Sequence, residues 1–334
     1  MRNTYPWQHQ DWLRLREIRK RPPYGLLFTG AKGIGKFDLS INFAQSLLCR
    51  QPDEDDMPCG RCPSCHWFDQ ESHPDFRLIQ PEALEAKAAP ADSGKKPSKQ
   101  ISVDQIRALS DFVGMSAHQG GRRVVVIHPA ESMNSNAANA LLKSLEDAPE
   151  GLLFILVTHK SQQLLPTVRS RCISFSVSAP DHATAIAWLQ AQGIERADAV
   201  LASTGYSPLE AVRPDQRVAD EQRDKLLRAI RNPAEIDIFA LADTLKNTEQ
   251  MLVVHWMQQW SYDLTAIKLT GTLRYHPGEE ATITKLVKSV DPLNLARLQK
   301  HLITAKREAQ HTLNAKLFFE SLLLVYSRLT AGSP

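Results

Sequence analysis

The sequence predicts an α/β domain built on a mostly parallel sheet, followed by helical regions that contain no strand. Three observations predict this. Five short apolar runs with strand character alternate with helical patterns, the arrangement of βαβ units. One run, LLFILV at 152–157, is apolar at every position, as in a strand whose sheet is covered on both faces. From about residue 216 onward every apolar run falls on a helical period.

The elements read in order as follows. Residues 10–20 form a short basic helix with Trp12, Leu13 and Leu15 among its apolar positions. A strand at 25–28 leads into GAKGIGKFDLS at 30–40, and a helix follows over 37–48. Strands are expected at 76–79, 124–127, 152–157 and 173–175, and helices at 103–113 and 137–147. Residues 81–100, PEALEAKAAPADSGKKPSKQ, read as a solvated loop insertion. Pro180 opens a small helical segment to about 213. Helical runs at 226–227, 236–239, 253–260, 293–302 and 313–324 complete the chain. The predicted organisation is an α/β domain over 1–165, a small helical domain over 166–213 and a helical domain over 214–334.

With 334 residues, 43% of them hydrophobic, the chain is long enough for two or three domains with sizeable cores. The formal charge of +3 is too small to argue for nucleic acid by itself. No apolar run reaches the roughly 18 residues of a membrane span. The first residues lack the apolar centre of a signal peptide. The expected compartment is the cytoplasm, where thiols stay reduced.

Residues 30–37 match the phosphate-binding pattern G-x-x-x-x-G-K-[ST] up to its last position. Gly30, Gly33 and Gly35 let backbone N–H groups turn toward a phosphate, the helix adds its N-terminal dipole, and Lys36 would reach the terminal phosphates. The next residue should offer a hydroxyl to Mg²⁺, and Phe37 has none. The partner strand should end in magnesium-holding carboxylates. VVVIHPAES at 124–132 ends instead in His128 and Pro129, with Glu131 about one helical turn away. Two independent magnesium and water positions are missing, so no ATP hydrolysis is expected here. Two readings of the loop stay open: a turn retained for packing, and a site that holds a nucleotide or phosphate without cleaving it.

Four of the five cysteines cluster as C-x₉-C-x₂-C-x₂-C: Cys49, Cys59, Cys62 and Cys65. Four thiolates close a tetrahedron around Zn²⁺ and leave no open position, so the metal would be structural. Cys62-Pro63-Ser64-Cys65-His66 also fits a haem-attachment pattern, but two further cysteines stand beside it. An iron–sulfur run would need another cysteine downstream, where Asp69 stands. His66 and His73 read as bystanders and Cys172 as a small buried residue.

Further on, Asn139-Ala140-Leu141-Leu142-Lys143-Ser144-Leu145-Glu146 precedes Pro149, and Leu165-Pro166-Thr167-Val168-Arg169-Ser170-Arg171-Cys172 follows. In these motifs the sequence resembles the clamp-loader subunits of bacterial DNA polymerase III, which are of the AAA+ class. The four-cysteine module and the defective phosphate loop are similar to the non-motor member rather than to the motors. The resemblance implies an AAA+ parallel-sheet domain with an inserted zinc module (49–65), a helical lid and a helical C-terminal collar that assembles with other subunits. It implies partners: ATPase motor subunits, a delta subunit and, through the complex, the sliding clamp and primer–template DNA. It also implies a role for Arg171, an arginine finger projecting into the ATP site of a neighbouring subunit. The chain would then be part of a DNA polymerase holoenzyme without being catalytic itself. Spacing alone leaves Arg171 as an arginine paired with a local carboxylate, and Arg169 as a structural ion pair. Motor subunits carry an arginine in the lid that touches ATP; here the matching stretch, 205–211, has Leu209. Two other functions are weighed against this one. A zinc-containing DNA-binding protein would use the basic stretch 14–21 and Arg61 on phosphates. An autonomous AAA+ ATPase would have to bypass Phe37, His128, Pro129 and Leu209 together.

Overall fold

The computed structural model describes residues 4–84, 97–114, 121–213, 216–309, 311 and 314–331. The chain divides into two compact units, 1–185 and 186–334. Most of the insertion expected over 81–100, residues 85–96, lies outside the described residues, as does Leu313.

The first unit carries five strands: β1 Gly25–Thr29, β2 Phe76–Ile79, β3 Arg123–Ile127, β4 Leu152–Val157 and β5 Ile173–Ser176. They form one sheet in the order β2-β3-β4-β1-β5, and every pairing is parallel. Helices α1 His9–Lys20, α2 Lys36–Leu48, α3 Pro63–Asp69, α4 Val103–Arg107, α5 Leu109–Gly114, α6 Ser135–Glu146 and α7 Pro166–Ser170 accompany it. The helix expected over 103–113 is two short helices, α4 and α5, which meet at Ala108. Because β5 pairs with β1, the sheet-bearing unit runs past residue 165, the boundary read from the sequence. Pro166 opens a one-turn helix that returns the chain to the sheet.

Strand alternation explains why the apolar runs are continuous. Leu26, Phe28, Val124, Val126, Leu153 and Ile155 point to one face, against Trp12 and Leu15 of α1 and Leu39 and Phe43 of α2. Leu27, Val125, Ile127, Leu152, Phe154 and Leu156 point to the other, against Ile106, Leu109, Leu141 and Val168. Both faces are covered, so no strand position on β3 or β4 is solvated.

The division between the units falls inside α8 His182–Ala191. The second unit continues with α9 Ala197–Ser203, α10 Pro208–Ala211, α11 Gln216–Ile230, α12 Ile238–Leu245, α13 Gln250–Thr270, α14 Glu280–Lys288, α15 Pro292–Glu308 and α16 Ala315–Thr330. Local sequence sets their ends. Asp237, Asp291 and Asn314 cap α12, α15 and α16 through their side chains. Gly271, in the left-handed region at φ 71°, stops α13. The core gathers Trp256, Trp260, Leu298, Phe319, Leu322 and Tyr326. Within it Trp260 Nε1–H donates to Tyr326 Oη at 2.9 Å, and that hydroxyl donates to the Ile230 carbonyl at 2.8 Å. Among the described residues no helix is long and apolar enough to cross a membrane.

Candidate functional site

The glycine loop leaves the C-terminal end of β1 and enters α2. Gly30, Gly33 and Gly35 all have positive φ, and Gly35 at 84° is the residue that turns the chain into the helix. Lys36 is buried, and its Nζ donates to the Ala31 carbonyl within the loop. Burial pushes its pKa down to about 8, with Glu131 opposing the shift.

The positions around the loop are filled by other side chains. Phe37 stacks on His128 at the end of β3, with ring centroids 4.3 Å apart. An aromatic pair thus occupies the region where a magnesium-binding hydroxyl and carboxylate would face each other. Burial holds His128 down to about 4, helped by His159. Its Nδ1 lies 3.1 Å from the Gln80 amide nitrogen, so the neutral ring accepts that bond. Glu131 is engaged too, accepting from Thr158 Oγ1–H at 2.7 Å and from His159 N–H at 3.0 Å. Glu131 therefore ties the end of β3 to the end of β4.

The N-terminal segment covers the loop, which the sequence had not indicated. Trp7 Nε1–H donates to the Ile34 carbonyl at 3.0 Å, and Gln8 Nε2–H to Gly35 O at 2.9 Å. Tyr5 Oη–H donates to Asp38 at 2.9 Å. The Tyr5 ring would lie 2.5 Å from a Cβ on Gly35. These contacts join residues far apart in sequence through single side chains, a pattern without periodicity.

Arg171 lies at the other edge of the sheet. It ends α7, immediately before β5, and β5 runs parallel to β1. At the start of β1, a Cβ on Gly25 would stand 2.9 Å from both Arg171 O and Cys172 Sγ. The phosphate loop begins at the other end of that strand, about 16 Å away at roughly 3.3 Å per residue. The Arg171 guanidinium, 36% exposed, pairs with Glu146 at the end of α6 and donates to Thr167 O at 3.0 Å. Arg169 meets an amide, donating to Gln162 Oε1 at 3.2 Å. Cys172 packs partly buried against the core, and burial pushes its thiol up to about 11. Leu209 belongs to α10 in the second unit.

Cys49, Cys59, Cys62 and Cys65 converge as the spacing predicted. Cys49 caps the C-terminus of α2, and Cys62 and Cys65 lie at the start of α3. All four sulfurs lie within 4.8 Å of one another, with Cys49–Cys59 at 3.6, Cys49–Cys62 at 3.9 and Cys59–Cys65 at 4.0 Å. Four sulfurs about 2.3 Å from a tetrahedral zinc stand about 3.8 Å apart, so the cluster fits that ion. The Arg61 backbone N–H draws the Cys59 thiol down to about 6, while burial pushes Cys65 upward.

His73 has a structural task here. Asp75 N–H donates to its Nδ1 at 3.0 Å, so Nε2 carries the proton and donates to Ser64 Oγ at 2.9 Å. Ser64 Oγ–H in turn donates to Leu48 O at 2.6 Å. This relay pins α3 against the end of α2. Two basic residues of α1 are engaged by the same region. Arg16 pairs with Asp55 and Asp56, and Arg19 pairs with Asp56 at 2.8 Å. Arg14 pairs with buried Asp11 and lies over the Phe175 ring. The stretch weighed as a DNA contact spends these charges internally.

A glycine loop joining a central parallel strand to a helix N-terminus, with the ends of β3 and β4 beside it, is the architecture of the phosphate-loop fold class. A family model described as DNA polymerase III, delta subunit, matches residues 11–181, and one for that subunit's C-terminal region matches 218–328. The chain belongs to the family of the DNA polymerase III delta' subunit. It is 31% identical to the DNA polymerase III subunit delta' of Pseudomonas aeruginosa, over 98% of this chain and 99% of that one. The Escherichia coli subunit delta' is 28% identical over 91% of this chain and 85% of its own. A solved Thermotoga maritima DNA polymerase III gamma subunit-related protein covers 96% of this chain and 99% of its own, at 18% identity and a TM-score of 0.47.

Proposed function

We propose that this chain is a clamp-loader subunit of DNA polymerase III that does not hydrolyse ATP itself and lends Arg171 to the ATP site of a neighbouring subunit. One observation carries the reading. Arg171 and the chain's own glycine loop lie at opposite ends of β1, so the guanidinium has no route to its own loop, while its partial exposure leaves it open to another subunit. The absence of hydrolysis in cis rests on the Phe37–His128 stack and on a Lys36 ammonium turned onto the Ala31 carbonyl. In this reading a guanidinium stabilises the charge that develops on a transferring phosphoryl group, and the chain supplies it in trans. The partners are ATPase motor subunits and a delta subunit, with the sliding clamp and primer–template DNA reached through the complex. Residues 186–213 serve as the lid and the helices from α11 onward as the collar.

Zn²⁺ held by Cys49, Cys59, Cys62 and Cys65 has a structural role. With four thiolates it has no open position for chemistry, and its binding energy goes into holding α2 and α3 together.

The test is ATP turnover of the reconstituted loader, stimulated by clamp and primed DNA, with wild-type chain and with Arg171→Ala. The expected result is an intact complex that loses roughly 10³ in rate at the site Arg171 serves, and a lone chain that is inactive. Unchanged turnover in an intact Arg171→Ala complex overturns the finger. Lys36-dependent hydrolysis by the lone chain overturns the loss of activity in cis.

A further inference from the structure

We propose that the second unit carries a binding site for a small phosphate-bearing anion, built by Arg196, Arg223, Arg228 and Arg231. The four arginines line one cavity of about 270 Å³. Arg196 stands just before α9. Arg223 and Arg228 lie on α11 and Arg231 just past its end, on the stripe of the helix that also presents Asp224 and Leu227. The loop 275–279 closes the remaining wall.

The charges do not balance. Arg231 pairs with Glu279, and the Arg228 Nε–H donates only to a main-chain oxygen, that of Asp224. Among the described residues Arg196, Arg223 and Arg228 make no ion pair. Four guanidiniums face two carboxylates in the lining, those of Asp224 and Glu279. Asp220 and Asp263 also act on Arg223 through space. Asp263, however, is fully buried and already accepts from the backbone N–H groups of Arg274, Tyr275 and His276 and from the His276 ring.

Two polar atoms point to a missing ligand. Arg223 Nε is buried without a hydrogen-bond partner, and so is Nε2 of His276, which lines the same cavity. A buried donor without an acceptor carries an uncompensated loss of solvation. Phosphate suits this set better than a carboxylate. Four arginines line the cavity, and a phosphate offers three or four oxygens where a carboxylate offers two. Its protonated form also has a hydroxyl to give to a neutral imidazole nitrogen. The volume lies below the roughly 300 Å³ at which ligand pockets usually begin, so the fit is to inorganic phosphate, pyrophosphate or the phosphate end of a larger molecule. All the residues lie between 196 and 279, separate from the glycine loop at 30–36.

The experiment is titration calorimetry of the full chain with pyrophosphate, with Arg196→Gln/Arg228→Gln, Arg223→Gln and Lys36→Met beside the wild type. Arg196 and Arg228 are exposed, so the double variant keeps its fold, as its melting temperature without ligand verifies. The expected result is saturable binding weakened about tenfold or more in the double variant and in Arg223→Gln. No binding by the wild type, or binding that the double variant leaves unchanged, overturns the proposal. Binding lost in Lys36→Met and kept in the double variant overturns it as well, because the anion then sits on the glycine loop. A 5′-phosphorylated oligonucleotide distinguishes the sources. If it displaces pyrophosphate, the site takes the phosphate of a nucleic acid end; if only inorganic phosphate does, the ligand is a free phosphate. Both outcomes support the site.

Discussion

At the residue scale, His128 shows how one side chain closes a site and ties it to pH. Its ring is stacked on Phe37, accepts from Gln80 and is held down to about 4 by burial. An unfolded histidine titrates near 6.5, so the unfolded chain takes up this proton first. The stabilising contribution is full above pH 6.5 and is lost as pH falls through the window from 6.5 to 4. Integrated over that window it amounts to about 3 kcal/mol. Asparagine keeps an acceptor near Nδ1 and has no proton to gain. In His128→Asn the fall in stability between pH 7 and pH 4, measured by denaturant unfolding, should therefore be smaller by up to about 3 kcal/mol. Equal falls in both proteins would mean that His128 is protonated in the folded state. Arg171 and Glu146 present the opposite case. Their side chains are 36% and 51% exposed, and exposed pairs of this kind contribute about 0–1 kcal/mol. Glu146 is thus a weak holder, and in the proposed trans role a phosphate of the neighbouring site would displace it. Glu146→Gln should change the unfolding free energy by less than about 1 kcal/mol; a larger loss would make the pair a structural anchor and weaken the trans reading.

At the scale of elements, the strands were legible and the joints between them were less so. The continuous apolar run at 152–157 coincides with β4, because a strand buried on both faces leaves no polar interruption to misread. The run at 76–79 coincides with β2 although that edge strand carries Arg77 and is partly exposed. The helix expected over 103–113 divides at Ala108, where helical propensity gives no signal that two short helices meet. Cysteine spacing brought four sulfurs together correctly, since a closed tetrahedron needs only those ligands and a turn. The support for the module was not legible. His73 reads in sequence as a spare histidine, and only its position against Ser64 and Asp75 reveals a relay. Ser64→Ala would leave the buried His73 Nε2–H without an acceptor and Leu48 O without its donor. The expected cost is about 1–3 kcal/mol, with metal stoichiometry unchanged by absorption or mass analysis. A stability loss below about 0.5 kcal/mol would show that solvent replaces the serine without cost.

For the whole molecule, the two units differ in what they depend on. The first has its sheet, two facing apolar layers and the cysteine module, whose members reach the end of α2 and, through Asp55 and Asp56, the arginines of α1. The second has its own core around Trp260 and Tyr326 and holds none of the five cysteines. A metal bound only by the folded state contributes its binding free energy to the unit that holds it. Removing zinc with a chelator should therefore loosen the first unit alone. Amide hydrogen exchange of the full chain reads this directly. Protection should fall in α2, α3 and the 49–65 loop, and in α1 where it leans on Asp55 and Asp56, while α13, α15 and α16 keep theirs. Loss of protection in those three helices to the same degree would mean that the chain unfolds as one cooperative body. No change anywhere would mean that the four thiols hold their arrangement without a metal. The pattern bears on function as well. Loss of zinc would then disturb the N-terminal segment and the loop it covers while the helices proposed as the collar stay folded, so a metal-free chain should still assemble with its partners. Co-elution of the chelated chain with the other subunits, measured beside its exchange pattern, tests both halves of that argument on one sample.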